Sequence, residues 1–228
     1  MEKPDRIPTV GGPLEIQPVD HASMVLRHGA QTIYVDPVGG AARYAGLARP
    51  SAILVTHHHG DHLDTATLEG LVGTKAVPML VSAGVLERLP AALKAQSRAV
   101  GYGDRTDLNG VPVRVIEAYN TSEDRLRFHP KGLGNGYLLR FSDVWVYISG
   151  DTEPNPDMLG LTGVDVAFLP MNLPYTMVAE QAADAVRTFR PKIVYPFHYT
   201  RGPEPEKFAG LMDGEAGIEV RLRDWYPD

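Results

Sequence analysis

Short runs rich in apolar positions shape the first part of the chain. LEIQPVD and ASMVLRH read as strands, and the His28-Gly29 turn leads into a third, QTIYVDP, so an antiparallel opening is predicted. VGGAARYAGLARP is a loop, and SAILVT after it is a continuous apolar run that suits a buried strand. The pattern then predicts a short helix over 64–72, a strand over 74–81, a helix pair over 82–95 broken at Pro90, and an alternating strand, VPVRVIEA, over 111–118. NTSEDRLRFHPKGLGNG is long for a connector, and such loops are usually functional or mobile, so it is a candidate wall of a site. YLLRF and WVYIS form a hairpin around Ser142-Asp143. From Gly150 strands and helices alternate: a helix near 156–161, VDVAFLP, a helix over 178–190, KIVYPF, a helix over 204–213 and a last strand near 218–222. Val178, Ala182, Ala185, Val186 and Phe189 form one apolar stripe on the 178–190 helix, the face it should bury.

Strands thus group early, strand-helix units group mid-chain and late, and no internal repeat is visible. The pattern alone implies a mixed α and β protein. At 228 residues a single core is expected, with 1–13 a flexible N-terminal segment and 14–228 one domain. A composition of 43% hydrophobic and 22% charged residues is that of a globular chain, which excludes extensive disorder. The net charge of -6 comes with no basic stripe, which argues against nucleic acid as a partner and mildly against an anionic membrane surface; a small-molecule partner fits better, and a homo-oligomer stays open. No stretch approaches the roughly 18 apolar residues of a spanning helix. MEKPDRIPTVGGP has no apolar signal core, so a soluble protein is expected, cytoplasmic by default, although an exported mature form would read the same. Without cysteine, any metal site must use His, Asp, Glu or backbone oxygen.

Such residues cluster in THHHGDHLD, which begins where the SAILVT strand stops. In extended backbone, side chains two apart share a face, so His57 and His59 converge on one cation while His58 points away. Gly60 permits a tight turn, after which Asp61 and His62 can reach a second cation a few ångströms from the first. A histidine-rich tract without fixed geometry is the bland alternative. The preceding buried strand and four ligand-type residues at one spacing favour the metal site.

HxHxDH after an apolar strand resembles the signature of the metallo-β-lactamase superfamily, and later segments match in order. YISGDTE resembles the family segment whose aspartate, here Asp151, bridges two metals, and YPFHYT resembles the one supplying a last histidine, here His198. HASMVL and YVDP resemble the N-terminal hairpin of the branch that includes ascorbate-6-phosphate lactonase and the N-acyl-phosphatidylethanolamine phospholipases. The resemblance, from about Leu14 to the C-terminal strand, implies an α+β fold, a four-layer αββα sandwich, and a metal-dependent hydrolase. The N and O donor set suits Zn2+, one or two ions, with Mn2+ or Fe as alternatives. In the family a further histidine joins the first metal after the strand that here ends EAYNTS, where this chain has Asn120. His129 from the long loop is the candidate replacement, against Asn120 as a weak ligand or a site that holds one metal tightly. Read alone, Asp151 would be a helix N-cap and His198 a core or rim histidine; the upstream cluster reverses both readings.

Paired cations would ionise a shared water near neutral pH and make a metal-bound hydroxide the nucleophile, with Asp61 as second-metal ligand and catalytic orienting group. Tyr175, in MNLPYTM, could donate its hydroxyl to an oxyanion or simply pack, and Asn172 and Lys131 stand in the same position. His21 and Asp36 read equally as turn residues or as groups that hold a ligand imidazole in its tautomer. Gly132, Gly134 and Gly136 precede a strand rather than a helix, a weak case for a nucleotide loop. The expected function is hydrolysis of a small ester, lactone or phosphoester. A non-catalytic metal-binding protein and a di-iron redox protein are the alternatives; the latter resemble HxExDH, whereas position 59 here is His.

Overall fold

A computed structural model describes residues 3–199 and 202–226, and its first element corrects one expectation. Within the segment 1–13, expected to be flexible, β1 (Asp5–Ile7) pairs antiparallel with β2 (Leu14–Asp20). Ile7 is buried, Arg6 is bonded to Glu15, and Asp5 accepts from Arg223 and from the Tyr195 hydroxyl. Those last partners lie near the other end of the chain, so local composition could not reveal the anchor.

β3 (Ser23–His28) and β4 (Gln31–Val35) continue the antiparallel meander, and β5 (Ala52–Val55) adds in parallel beside β4. Crossovers through α1 (Thr65–Val72), then α2 (Ala83–Arg88) and α3 (Ala91–Lys94), add β6 (Met79–Val81) and β7 (Ser97–Ala99), also parallel. The second half repeats this plan. β8 (Arg105–Leu108), β9 (Val111–Ala118), β10 (Gly134–Phe141) and β11 (Val144–Ile148) form a meander. α4 (Pro156–Leu159), β12 (Val166–Pro170), α5 (Ala179–Phe189), β13 (Ile193–Phe197), α6 (Glu204–Leu211) and β14 (Glu219–Val220) follow, with parallel strands. Each half makes a seven-stranded sheet.

Side-chain alternation stacks the layers. Ile16 and Leu26 of the first sheet meet Val115, Leu139 and Phe168 of the second in the central core. Val55, Met79 and Val81 face outward under Leu68, Val85 and Leu93 of the first three helices. Ala167 and Leu169 lie under Met158, Val186 and Phe208 of the last three. β12 is covered on both faces and therefore reads as a continuous apolar run, whereas β9 alternates because Pro112 and Arg114 face water. On α5 the predicted stripe is buried except at Val178, which stands half-buried as the N-cap; a fully buried Val or Phe there contributes roughly 1.5–3 kcal/mol. The result is the four-layer αββα arrangement of an α+β fold.

The differences are local. The strand expected over 74–81 shrinks to β6, since residues 74–76 are exposed and Pro78 has no N–H for a ladder. The helix pair does break at Pro90, with Leu89 before it extended. β7 and β8, short and partly exposed, carry too little apolar pattern to be read from sequence. Among the described residues no helix is long and apolar enough to cross a membrane.

Candidate metal centre

Three parallel strands stop at one edge of the sandwich, and each hands over a ligand-type side chain. His57 lies two residues past β5, Asp151 three past β11, and His198 directly past β13. All three are buried. The turn before Asp151 needs Gly150: its φ is +63°, and a Cβ there would stand 2.8 Å from the Asn135 carbonyl oxygen. Asp151 is not a helix cap, because Asn155 fills that role for α4 by accepting from the Asp157 and Met158 N–H groups. After β5 the carbonyl of His59 accepts from the N–H groups of both His62 and Leu63, a turn that folds Asp61 and His62 back over the strand end. His58 points away, toward Gly84.

The donors fall into two sets joined by Asp151. In the first, His57 Nε2 is 3.0 Å from His59 Nδ1 and 3.9 Å from Asp151 Oδ2, and His129 Nε2 is 3.1 Å from that same oxygen. In the second, His62 Nε2 and His198 Nε2 are 2.9 Å apart and lie 3.3 and 3.4 Å from Asp151 Oδ1, while Asp61 Oδ2 stands 3.4 Å from His198 Nε2. The structure therefore brings together every residue expected to ligate metal. His129 rather than Asn120 stands beside His57 and His59. Asn120 instead braces the loop: its Nδ2 donates to the carbonyls of Arg125 and Tyr175, and its N–H to the His129 carbonyl.

Contacts behind His57, His62 and His129 decide which nitrogen of those three rings faces inward. Asp36 accepts from Thr56 N and, through Oδ2, from Thr56 Oγ1 and His62 Nδ1, each at 2.7 Å. Thr56 Oγ1 is also 3.1 Å from His57 Nδ1. His129 Nδ1–H donates to the Tyr175 carbonyl at 3.1 Å. Each contact places the proton on Nδ1 and leaves Nε2 as a lone-pair donor, the usual way a protein prepares a metal-binding imidazole. His21 bears on Asp61 in the opposite tautomer: the Tyr226 hydroxyl bonds its Nδ1 at 2.6 Å, and Nε2–H donates to Asp61 Oδ2 at 3.3 Å. Asp36 thus contacts a candidate ligand imidazole, that of His62, whereas the bond from His21 goes to the Asp61 carboxylate and not to a ligand imidazole.

Electrostatics follow from the crowding. Burial, and then the neighbouring His62, hold His57 well below the usual imidazole range; burial also lowers His198. Burial would push His62 down as well, but the Asp151 and Asp36 carboxylates hold it well above that range. Asp151 and Asp61 are depressed despite burial, Asp151 by His198 and His62, Asp61 by bonds from His198 and His21. The donors fit a metal on a structural test as well: His129 Nε2 in the first set and Asp151 Oδ1 in the second are buried with no properly aligned hydrogen bond, an arrangement a cation in each set would satisfy. Imidazole and carboxylate donors without thiolate suit zinc, manganese or iron.

A cavity of about 320 Å³ opens over this floor, lined by His59, Asp61, Phe128, His129, Asp151, Asn172 and Tyr175. Tyr175 and Asn172 line it, and Lys131 is bonded to Glu117 instead. Of the three glycines, Gly136, within β10, answers to packing: a Cβ on it would come within 2.8 Å of the Ser149 carbonyl oxygen. Sequence reasoning missed Thr56, whose only signal was a polar residue closing an apolar run, and Phe128, which carried none. It also missed Glu153, a buried carboxylate that accepts from Thr121 N, Ser122 N, Ser122 Oγ, Arg125 and Gln181 and so pins the His129 loop to α5.

Residues 15–198 match the family model of the β-lactamase superfamily domain. The UPF0173 metal-dependent hydrolase of Pyrococcus horikoshii is 31% identical over 91% of this chain and 96% of its own, and that of Methylobacterium nodulans 32% identical over 88% and 92%. The crystal structure of a candidate metal-dependent hydrolase from Parabacteroides distasonis superposes with a TM-score of 0.88 at 32% identity, covering 100% of both chains. Igni18, a metallo hydrolase from Ignicoccus hospitalis, shares the fold at a TM-score of 0.76, with 22% identity over 94% and 96% of the two chains.

Proposed function

The chain belongs to the metallo-β-lactamase superfamily and, within it, to the UPF0173 metal-dependent hydrolases, and from that premise we propose that it hydrolyses a small ester, lactone or phosphoester over the centre described above. The observation that carries this reading is the convergence of His57, His59, His129, Asp61, His62 and His198 around Asp151 in overlapping groups able to hold a metal, with His59, Asp61, His129 and Asp151 lining one cavity. Bound Zn2+, or Mn2+ or Fe, would supply Lewis acidity and a water ionised near neutral pH. Asp61, its side chain 46% exposed and steadied by His21, presents a carboxylate to the cavity and accepts a hydrogen bond that orients the attacking water. Tyr175 and Asn172 on the facing wall offer a hydroxyl and an amide to the oxygen on which charge develops.

The test is one panel of lactones, carboxylic esters, phosphomonoesters, phosphodiesters and amides, run with zinc- and manganese-loaded protein and a chelator control. Chelator-sensitive turnover of at least one class is expected. A folded protein that binds metal and turns over none would instead be a non-catalytic metal-binding protein, and one that binds no divalent metal under any loading would remove the centre itself.

A further inference from the structure

The walls of the cavity are more informative than its floor. Among the described residues that line it there is no lysine or arginine, whereas Asp61 and Asp151 both do. The His129 loop does carry three cations: Arg125 and Lys131 are engaged elsewhere, and Arg127 is exposed over the Phe128 ring. Arg125 Nη1 donates to Glu153 at 2.8 Å, to the Thr176 carbonyl at 2.9 Å and to Gln181 at 3.1 Å. Lys131 Nζ lies 3.3 Å from Glu117 and over the Tyr119 ring. Arg127 lies 4.7 Å from the centroid of the Phe128 ring. Apolar surface takes their place: Phe128 and Tyr175 meet edge to face at 4.9 Å, and Tyr175 is 42% exposed. Beside them Asn172, only 6% exposed, has an Oδ1 that is buried without a hydrogen-bond partner.

We infer that, given the hydrolase reading on which this rests, the cavity takes an uncharged carboxylic ester or lactone with a planar or apolar group set against Phe128 and Tyr175 and a hydrogen-bonding group for Asn172, rather than a phosphoester. A phosphomonoester brings about -1.5 to -2 charges at neutral pH; metal ions at the floor would meet part of that charge, but the walls add no Arg or Lys to hold the rest and carry two carboxylates. A flat apolar group loses nothing by leaving water for the two rings, and the orphaned amide oxygen gains a partner. In the reaction a water oxygen bonds the acyl carbon, the acyl C–O bond breaks, one water proton leaves on the alcohol and the other is released as the acid ionises.

Benzyl acetate, ethyl acetate and benzyl phosphate test the assignment on the metal-loaded full chain, the two esters having alcohols of similar acidity. Binding of the uncleaved N-benzylacetamide and of benzylphosphonate, read by calorimetry, is the companion measurement. Expected are a kcat/KM for benzyl acetate at least tenfold above ethyl acetate and a hundredfold above benzyl phosphate, and tighter binding of the amide than of the phosphonate. Phe128→Ala, and independently Tyr175→Ala, should collapse the benzyl-to-ethyl ratio toward one and weaken the amide about tenfold. A preference for phosphate or phosphonate, absence of amide binding, or a ratio that neither variant moves overturns the inference. Amide binding that depends on Phe128, with no turnover of any compound, would support the recognition and count against hydrolysis alone.

Discussion

Replacing Asp36 by Asn tests whether the contacts behind the ligands set their chemistry. Asp36 is buried and receives three donors: Thr56 N on Oδ1, Thr56 Oγ1 and His62 Nδ1 on Oδ2. An amide of the same shape has one acceptor oxygen. If that oxygen keeps Thr56 N, the new NH2 faces two donors at the position of Oδ2. The conflict is relieved when His62 shifts its proton to Nε2 and accepts from the amide, but Nε2 is the atom that faces His198 and Asp151. The second donor set then loses a lone pair, and the first is disturbed through Thr56 and His57. Losses of this kind run to roughly 10–100-fold in metal affinity, about 1.4–2.8 kcal/mol, and the unmatched buried donor costs roughly 1–3 kcal/mol of folding stability besides. Competition against a chromogenic zinc chelator measures the first, and urea unfolding of chelator-treated protein the second. An Asp36→Asn protein that competes for zinc like the wild type would refute the tautomer argument, whatever its stability.

Three further outcomes are expected. His59→Ala should lower turnover roughly a hundredfold or more while circular dichroism stays unchanged, because His59 is only half-buried and belongs to the first donor set; full activity would remove it from the site. Gly150→Ala should cost roughly 1–3 kcal/mol in urea unfolding, since its Cβ would enter at φ +63° against a backbone oxygen, and an unshifted midpoint would contradict that. Burial would raise Glu153, but bonds from Ser122, Gln181 and Thr121 hold it below its ordinary 4.5, so its stabilisation is present above pH 4.5 and lost as pH falls through the depressed value. The stability gap between wild type and Glu153→Gln should thus be full near neutral pH and close in acid; a gap that widens in acid would reverse the sign.

The parts of this protein that were legible in sequence are those decided over a few residues. HxHxDH was readable because one strand end and one turn hold all four side chains, and the αββα order because period-two and period-3.6 runs carry it. Asp151 and His198 became readable only through resemblance, since an aspartate after a strand is as well suited to capping a helix. What stayed open is decided by distant partners. His129 is set in place by the Tyr175 carbonyl 46 positions away, and the His21 contact to Tyr226 spans 205. Whether Asp36 was a turn residue or an anchor for His62 depended on a pairing 26 residues apart that no local pattern records.

That dispersion follows from how the centre is built. The first sheet contributes His57, His59, Asp61 and His62, and the second contributes His129, Asp151 and His198, so the donors meet only when the sandwich closes. For the polypeptide alone this meeting is unfavourable: imidazole nitrogens are pressed to 2.9–3.0 Å, and burial holds His57 and His198 down. The fold must therefore be carried by the central core between the sheets, and the cluster above it is kept for chemistry rather than stability. A cation takes over those contacts, because the crowded imidazole nitrogens become ligands to it. Since Asp151 belongs to both sets, metal bound at either one ties the first sheet to the second, and its binding free energy adds to the stability of the closed sandwich.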